Sequence, residues 1–164
     1  MIELRALNSD DCELLVRYLN NPQLVQFLSS RIPQPYTYED ACWWVETGSK
    51  EAAFVRAITY KGVFCGVTGI YTKTAEYAHT AELGYWVAQQ YWNLGIASEA
   101  VTEFTKLVFA TTAIQRIYAV VAAPNKASIQ VMQKAGYHLE GVLKQALMKH
   151  GQFYDEYLLA KLQA

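Results

Sequence analysis

The sequence is short of the features that would tie it to a membrane, a disulfide framework, a metal or a nucleic acid. No apolar run approaches the roughly 20 residues that cross a bilayer. The opening Met1-Ile2-Glu3-Leu4-Arg5 is followed by no apolar stretch of the signal-peptide kind. The cytoplasm is therefore the expected location, and no membrane partner is expected. Cysteine is scarce, with only Cys12, Cys42 and Cys65. Their odd count and unpatterned spacing argue against a disulfide framework or a zinc site, so no metal is expected. They read as small buried residues of a reduced protein. An excess of charge of one sign is missing too: 14 Lys and Arg stand against 15 Asp and Glu, a net charge of −1. That balance lacks the electrostatic footprint of a chain that grips nucleic acid directly. There is no repeat, low-complexity tract or Pro/Gly-rich linker, so residues 1–164 read as a single domain. A Gly-x-Gly-x-x-Gly and the Lys-Ser/Thr ending of a P-loop are both absent, which disfavours a dehydrogenase and a kinase.

What is present is an ordinary globular balance, 52% apolar and 18% charged, with 12 Tyr and 4 Trp. Ile2 to Leu7 alternates as a strand. Asp10 and Glu13 offer a capping box for a helix that carries Leu14, Leu15, Tyr18 and Leu19 and stops at Asn20-Asn21-Pro22. Gln23 to Leu28 reads as a short second helix, and Ile32 to Tyr36, with two prolines, as a loop. Thr37-Tyr38-Glu39-Asp40 caps a helix running to about Thr47. Ala53–Tyr60 and Val63–Thr72 flank the turn Lys61-Gly62 as a hairpin, and Thr80–Val87 is a third strand. From Ala97 the period changes to 3.6, with Ala97, Ala100, Val101, Phe104, Leu107 and Val108 on one face. Gln115–Ala122 is a buried strand, Pro124-Asn125 starts a helix that ends at Gly136, and Tyr137–Met148 and Phe153–Leu162 are strands joined at His150-Gly151. Leaving the short segment after Pro22 aside, the order is β-α-α-β-β-β-α-β-α-β-β. The unit Thr80–Val87, helix, Gln115–Ala122 has the form of a right-handed crossover between parallel strands.

One segment combines small residues with a helix start: Tyr91-Trp92-Asn93-Leu94-Gly95-Ile96-Ala97-Ser98-Glu99. The first N–H groups of a helix lack partners, and the positive end of its dipole adds to them, so this is a ready anion site. Gly95 and Ala97 would let a phosphate approach the backbone, and Ser98 adds a hydroxyl. A plain strand-to-helix turn has the same appearance.

The segment resembles motif A of the GNAT acetyltransferases, Gln/Arg-x-x-Gly-x-Gly/Ala. Trp92 stands at the Gln/Arg position, Gly95 and Ala97 at the small ones. Trp92 departs from the general pattern but is similar to the Tyr-Trp-x-x-Gly-x-Ala-x-Glu-Ala form of the RimJ/RimL-like branch, the ribosomal-protein N-terminal acetyltransferase type. Asn93 sits where Gly is frequent. His79–Val87, Asn125-x-x-Ser128 with Lys134-Ala135-Gly136-Tyr137, and Glu140–Lys144 with Gly151, Tyr154 and Asp155 resemble further segments of that branch. So do Asn21-Pro22 and Thr37–Asp40. No single motif is strong; their order and spacing are.

The resemblance implies an α/β fold of the mixed kind. It would have a mostly antiparallel seven-stranded sheet, about four helices on its two faces, and a bulged fourth strand that splays from the fifth. It implies acetyl-CoA as co-substrate. The cofactor arm would pair with Tyr85, Trp86 and Val87, with the Val87 N–H near the thioester carbonyl as an oxyanion donor. The pyrophosphate would meet Trp92, Asn93 and the backbone of Leu94, Gly95, Ile96, Ala97 and Ser98. Asn125 would contact the arm, or serve only as an N-cap. Ser128 would protonate the departing thiolate, or be an exposed serine of a first turn. Lys134 would meet the 3′-phosphate, or be a solvated surface residue. Glu82 is the nearest candidate base, acting through a water, with Glu51 its competitor; a structural strand carboxylate is the plainer reading. His79 and His138 stand alone, and Asp155 reads as structural.

The implied activity is transfer of acetyl from acetyl-CoA to a primary amine by direct attack in a ternary complex. Branch resemblance favours a protein N-terminal amine. A small amine (polyamine, amino acid or drug) uses the same chemistry, and a non-catalytic acyl-CoA-binding module is a reading of another class. The helices at Asp10–Asn20 and Thr37–Thr47 and the loop Ser29–Tyr36 would wall the acceptor, with one of Trp43 and Trp44 facing the core. A homodimer is the expected assembly by frequency alone.

Overall fold

Seven strands build one sheet: β1 (Ile2–Arg5), β2 (Ala53–Tyr60), β3 (Val63–Thr72), β4 (Thr80–Val87), β5 (Arg116–Ala122), β6 (His138–Lys149) and β7 (Gln152–Leu162). Among the described residues five α-helices accompany them: α1 (Cys12–Leu19), α2 (Pro22–Val25), α3 (Tyr38–Glu46), α4 (Ile96–Thr111) and α5 (Lys126–Lys134). The structure is a computed structural model and describes residues 1–51 and 53–164. The sheet order is β1-β2-β3-β4-β5-β7-β6. Every neighbouring pair is antiparallel except β4 and β5.

The two sheet faces follow from strand alternation. Ala81 and Leu83 of β4 point toward α4 and α5, packing with Val101, Phe104, Val108 and Met132. Trp86 points the other way and joins the cluster of α1 and α3, with Leu15, Tyr18, Ala41 and Val45. Fully burying a side chain such as Phe104 or Leu15 is worth about 1.5–3 kcal/mol, so these clusters hold the helices to the sheet. The Tyr18 hydroxyl donates to the Phe64 carbonyl at 2.9 Å, anchoring α1 on β3.

Several boundaries differ from the sequence expectation for local reasons. β1 ends at Arg5, where its pairing with Ala57 of β2 ends. The capping box belongs to Asn8 and Asp11, which start a short 3₁₀ turn ahead of α1, not to Asp10 and Glu13. Arg5 clamps Asp11 through two bonds of 2.8 and 2.9 Å, which draws that carboxylate into the cap. α2 is one turn long and begins at Pro22, with Asn21 as its N-cap; it does not continue to Leu28. α4 starts one residue earlier than expected, and its buried face takes in Ile96 and Thr105 while Ala97 and Leu107 are half-buried. Trp44 packs inward beside α1, and Trp43 is 55% exposed.

The sheet opens between β4 and β5. They pair over three positions only, Thr80↔Arg116, Ala81↔Ile117 and Glu82↔Tyr118. Beyond Glu82, β4 stays with β3 as far as Val87↔Gly66. β5 stays with β7 as far as Ala122↔Glu156. The expected bulge in β4 is not there: its ladder with β3 keeps one register throughout. The splay arises because each strand follows its other partner, and the register shifts fall instead between Ile58 and Thr59 of β2 and in β6.

Candidate active site

Strand alternation sets what faces the opening. The Ala88 N–H donates to the Cys65 carbonyl of β3 at 2.8 Å. In-plane groups alternate along a strand, so the N–H groups of Tyr85 and Val87 turn away from β3, toward the gap that β5 has left. The Val87 carbonyl on that side accepts from the Trp92 indole N–H at 2.6 Å. Trp92 therefore spends its only side-chain donor on the strand end, and brings the following loop against it.

That loop leads into α4 through two left-handed residues, Asn93 (φ 64°) and Gly95 (φ 76°). Gly95 is the N-cap position of α4, and no side chain caps the helix. A side chain built on Gly95 would project into open space. The first N–H groups of α4 thus stay unpartnered by protein, at the positive end of a 16-residue helix. The arrangement fits a pyrophosphate held by backbone, as an anion site requires. Leu94 is the exception among the expected contacts: its side chain is exposed, away from the cleft that its neighbours line.

A cleft of about 530 Å³ joins these elements, lined by Tyr85, Trp86 and Val87, by Trp92, Asn93 and Gly95–Ser98, and by Asn125, Ser128 and Lys134. Twelve of the thirteen residues expected to hold a cofactor therefore share one wall system. α5 begins here too, but its end is closed: the Asn125 side chain accepts from the Ser128 N–H at 3.3 Å. Asn125 is thus an N-cap as well as a cleft residue. The Ser128 hydroxyl lies 2.5 Å from the Tyr85 hydroxyl. Burial pushes the Tyr85 phenol up to about 12, partly offset by that hydrogen bond, so Tyr85 stays protonated and can donate at neutral pH. Its side chain was missed from sequence, where only its backbone drew notice; the pair is separated by 43 residues and no local pattern joins them.

The sequence also did not point to the segment after α2. Gln23, Leu24, Gln26, Phe27 and Leu28 line the same cleft. The β6–β7 hairpin reaches across to this segment. Lys149 donates to the carbonyls of Val25 and Leu28. The ring of Phe27 meets Tyr154 edge-on at 6.4 Å between centroids. Burial pushes the Lys149 ammonium down from its ordinary range. Asp155 accepts from the Gln145 N–H at 2.9 Å and from Lys144 at 3.3 Å, which hold its carboxyl low.

Glu82 does not line that cleft. It lies on the opposite sheet face with Trp86, 3.6 Å from the Lys73 ammonium. Glu51 is exposed after the 3₁₀ turn Gly48–Lys50 and does not line the cleft either. Among the described residues no group of three His, Cys, Asp or Glu is placed to hold a metal. Cys12 and Cys42 approach to 3.8 Å as free thiols, and burial pushes Cys12 up to about 11.

Among the described residues the sheet parts after its one parallel pair, and an uncapped helix end stands at the opening. The acetyltransferase (GNAT) domain family matches residues 2–138, and the chain belongs to that family. It is 26% identical over 159 residues to the uncharacterized N-acetyltransferase YoaA of Bacillus subtilis, covering 93% of this chain and 88% of that one. Among solved structures, RimL, a ribosomal L7/L12 α-N-protein acetyltransferase in complex with coenzyme A, superposes with a TM-score of 0.85 at 22% identity, covering 98% of this chain and 93% of that one. Spermidine N-acetyltransferase from Vibrio cholerae, in complex with CoA and spermine, superposes at 0.83 and 18% identity, covering 99% and 95%. At those identities the two structures establish the shared fold. The chain is an acetyl-CoA-dependent N-acetyltransferase.

Proposed function

We propose that the protein acetylates a primary amine at the β4/β5 opening, and that the acceptor is a protein N-terminus. The observation that carries the cofactor half is the uncapped start of α4 beside the splay. Backbone N–H groups of Gly95–Ser98 bind the pyrophosphate, Lys134 at the end of α5 supplies a point charge for the 3′-phosphate, and the Val87 N–H donates to the thioester carbonyl. The Ser128 hydroxyl, held by Tyr85, hydrogen-bonds the sulfur and delivers the proton it needs on leaving; a thiol of pKa near ~8.5 needs only modest help. Asn125 fixes Ser128 through its N-cap bond. The order of RimJ/RimL-like motifs along nearly the whole chain supports the protein acceptor. A second reading, a small polyamine, is favoured by two carboxylates, Glu82 of β4 and Glu156 of β7, which share the sheet face of Trp86 and feel each other's charge.

The test offers acetyl-CoA with peptides beginning in Ala, Ser or Met, and in parallel with spermidine and free amino acids. Thiol release and acetylated product are followed. Transfer to peptides supports the protein acceptor; transfer to spermidine alone replaces it with the second reading. Acetyl-CoA binding without thiol release on any acceptor removes the enzyme reading in favour of a binding module.

A further inference from the structure

Glu82 was the carboxylate that sequence brought forward as base, yet its position is wrong for the task in one respect. It sits at the last paired position of β4 and β5, where the sheet is still closed, and Lys73 is its ion partner. The opening lies further along both strands. Four residues on, β4 presents Trp86 and β5 presents Ala122. Opposite Ala122, on β7, stands Glu156.

The face on which Glu156 lies follows from its neighbours. Tyr157 and Leu159 pack with α4 and α5, so Glu156 and Leu158 point to the other side, the side of Trp86 and Glu82. Its level follows from the chain. The Ala123 N–H donates to the Asp155 carbonyl at 2.9 Å, one residue past the Ala122 pair, and Asn125 then opens α5 at the cleft. Glu156 is therefore level with the arm-binding end of the splay, on the face opposite the pyrophosphate site. Among the described residues its carboxylate has no hydrogen-bond or ion-pair partner, while its backbone lies in the ladders with β5 and β6. Burial and the like charge of Glu82 both push its carboxyl up from the ordinary range.

We infer that Glu156 is the base that accepts the proton of the incoming ammonium, and that Glu82, ion-paired to Lys73, tunes it. The inference rests on the acetyl-transfer reading above. One ammonium proton passes to a Glu156 carboxylate oxygen and on to solvent. The neutral nitrogen forms the C–N bond, the C–S bond breaks, and the electron pair leaves on sulfur. The second N–H proton lost by the nitrogen balances the one delivered to sulfur through Ser128. By strand alternation the titratable groups sharing this face include Glu82 on β4, Tyr118 on β5 with Arg116 two residues before it, paired to Glu140, Tyr71 on β3 with Lys73 just beyond it, Tyr154 on β7, and His138 and Lys149 on β6. Lys144 and Asp155 pair on the other face of the hairpin.

A carboxylate base must be ionised, so its activity falls as pH drops through its pKa, and a raised pKa places that limb above the ordinary carboxylate range. An Ala-initiated peptide and spermidine serve as the two acceptor probes, with both substrates saturating. Glu156→Gln is expected to lower kcat by about 100-fold and to erase the acid limb, with acetyl-CoA affinity within about 3-fold of wild type. Glu156→Asp is expected to recover part of the rate and to retain a limb. Glu82→Gln keeps the limb but moves it to lower pH, since the like charge is gone. Carboxyl NMR titration of the free protein reads the same coupling without substrate: the Glu156 signal titrates above the usual range and moves down in Glu82→Gln. The inference is overturned if Glu156→Gln keeps both its limb and a rate within about 3-fold of wild type, or if the Glu156 signal titrates in the ordinary range and ignores Glu82→Gln. Wild-type protein that transfers acetyl while Glu156→Gln does so equally well leaves the proposed function standing without this base. Wild-type protein that binds acetyl-CoA but transfers to neither probe overturns both.

Discussion

Helices α4 and α5 both start at the cleft, but they treat their exposed N–H groups in opposite ways. α5 closes its first turn with its own Asn125 side chain, 3.3 Å from the Ser128 N–H. α4 begins at Gly95, left-handed at φ 76°, with no side chain over its end. A capped end is stable by itself and can hold a side chain in place; here that side chain is Ser128, 2.5 Å from Tyr85. An uncapped end carries unsatisfied donors and a partial positive charge, and both are relieved when an anion arrives. One helix end positions a hydroxyl, and the other is left open, the end to which the proposed function assigns phosphate. The residue at the N-cap position decides which.

The comparison is tested most severely at Ser128. Ser128→Ala is expected to lower kcat by about 10- to 100-fold with acetyl-CoA affinity within about 3-fold, as stopped thiol release and calorimetric titration would read. Equal losses in both would mean that α5 binds rather than acts. Gly95→Val attacks the other helix end. A branched residue in the left-handed region costs about 1–2 kcal/mol, and its side chain would enter the space kept for phosphate. Acetyl-CoA affinity should fall by about 10-fold or more. Gly95→Asn, which tolerates that backbone, should lose less, and an equal loss would assign the effect to side-chain bulk rather than to backbone strain. The smallest effect is expected at Asn125. Asn125→Ala should cost about 1 kcal/mol of stability, a thermal midpoint lower by about 2–4 °C. A fall in kcat beyond that of stability alone would show that the cap also aligns Ser128.

How much of this was readable beforehand differs between the two ends. Gly95, Ala97 and the change of period after Val87 are local, and they identified the α4 end without a structure. Asn125 and Ser128 are also local, three residues apart, as an N-cap bond requires. The partner of Ser128 is not: Tyr85 lies 43 residues earlier on β4. Trp92, which stood out as an odd residue in a phosphate motif, proved to be tied to the Val87 carbonyl, a contact five residues back that only the tight turn makes possible. The two carboxylates show the limit most clearly. Glu82 drew attention because it lies on the strand that enters the cleft. Glu156 drew none, since it belongs to a terminal hairpin whose register with β5 no sequence pattern states.

The sequence by itself determined the strands and helices, the helix ends at Gly95 and Asn125, and the family, because these rest on periodicity, capping and short-range spacing. The tertiary structure alone decided where β4 and β5 part, which carboxylate stands level with the opening, and how the β6–β7 hairpin docks on the segment after α2. Those depend on which strand each edge follows and on side chains brought together from distant parts of the chain, and local residue preference carries no information about either.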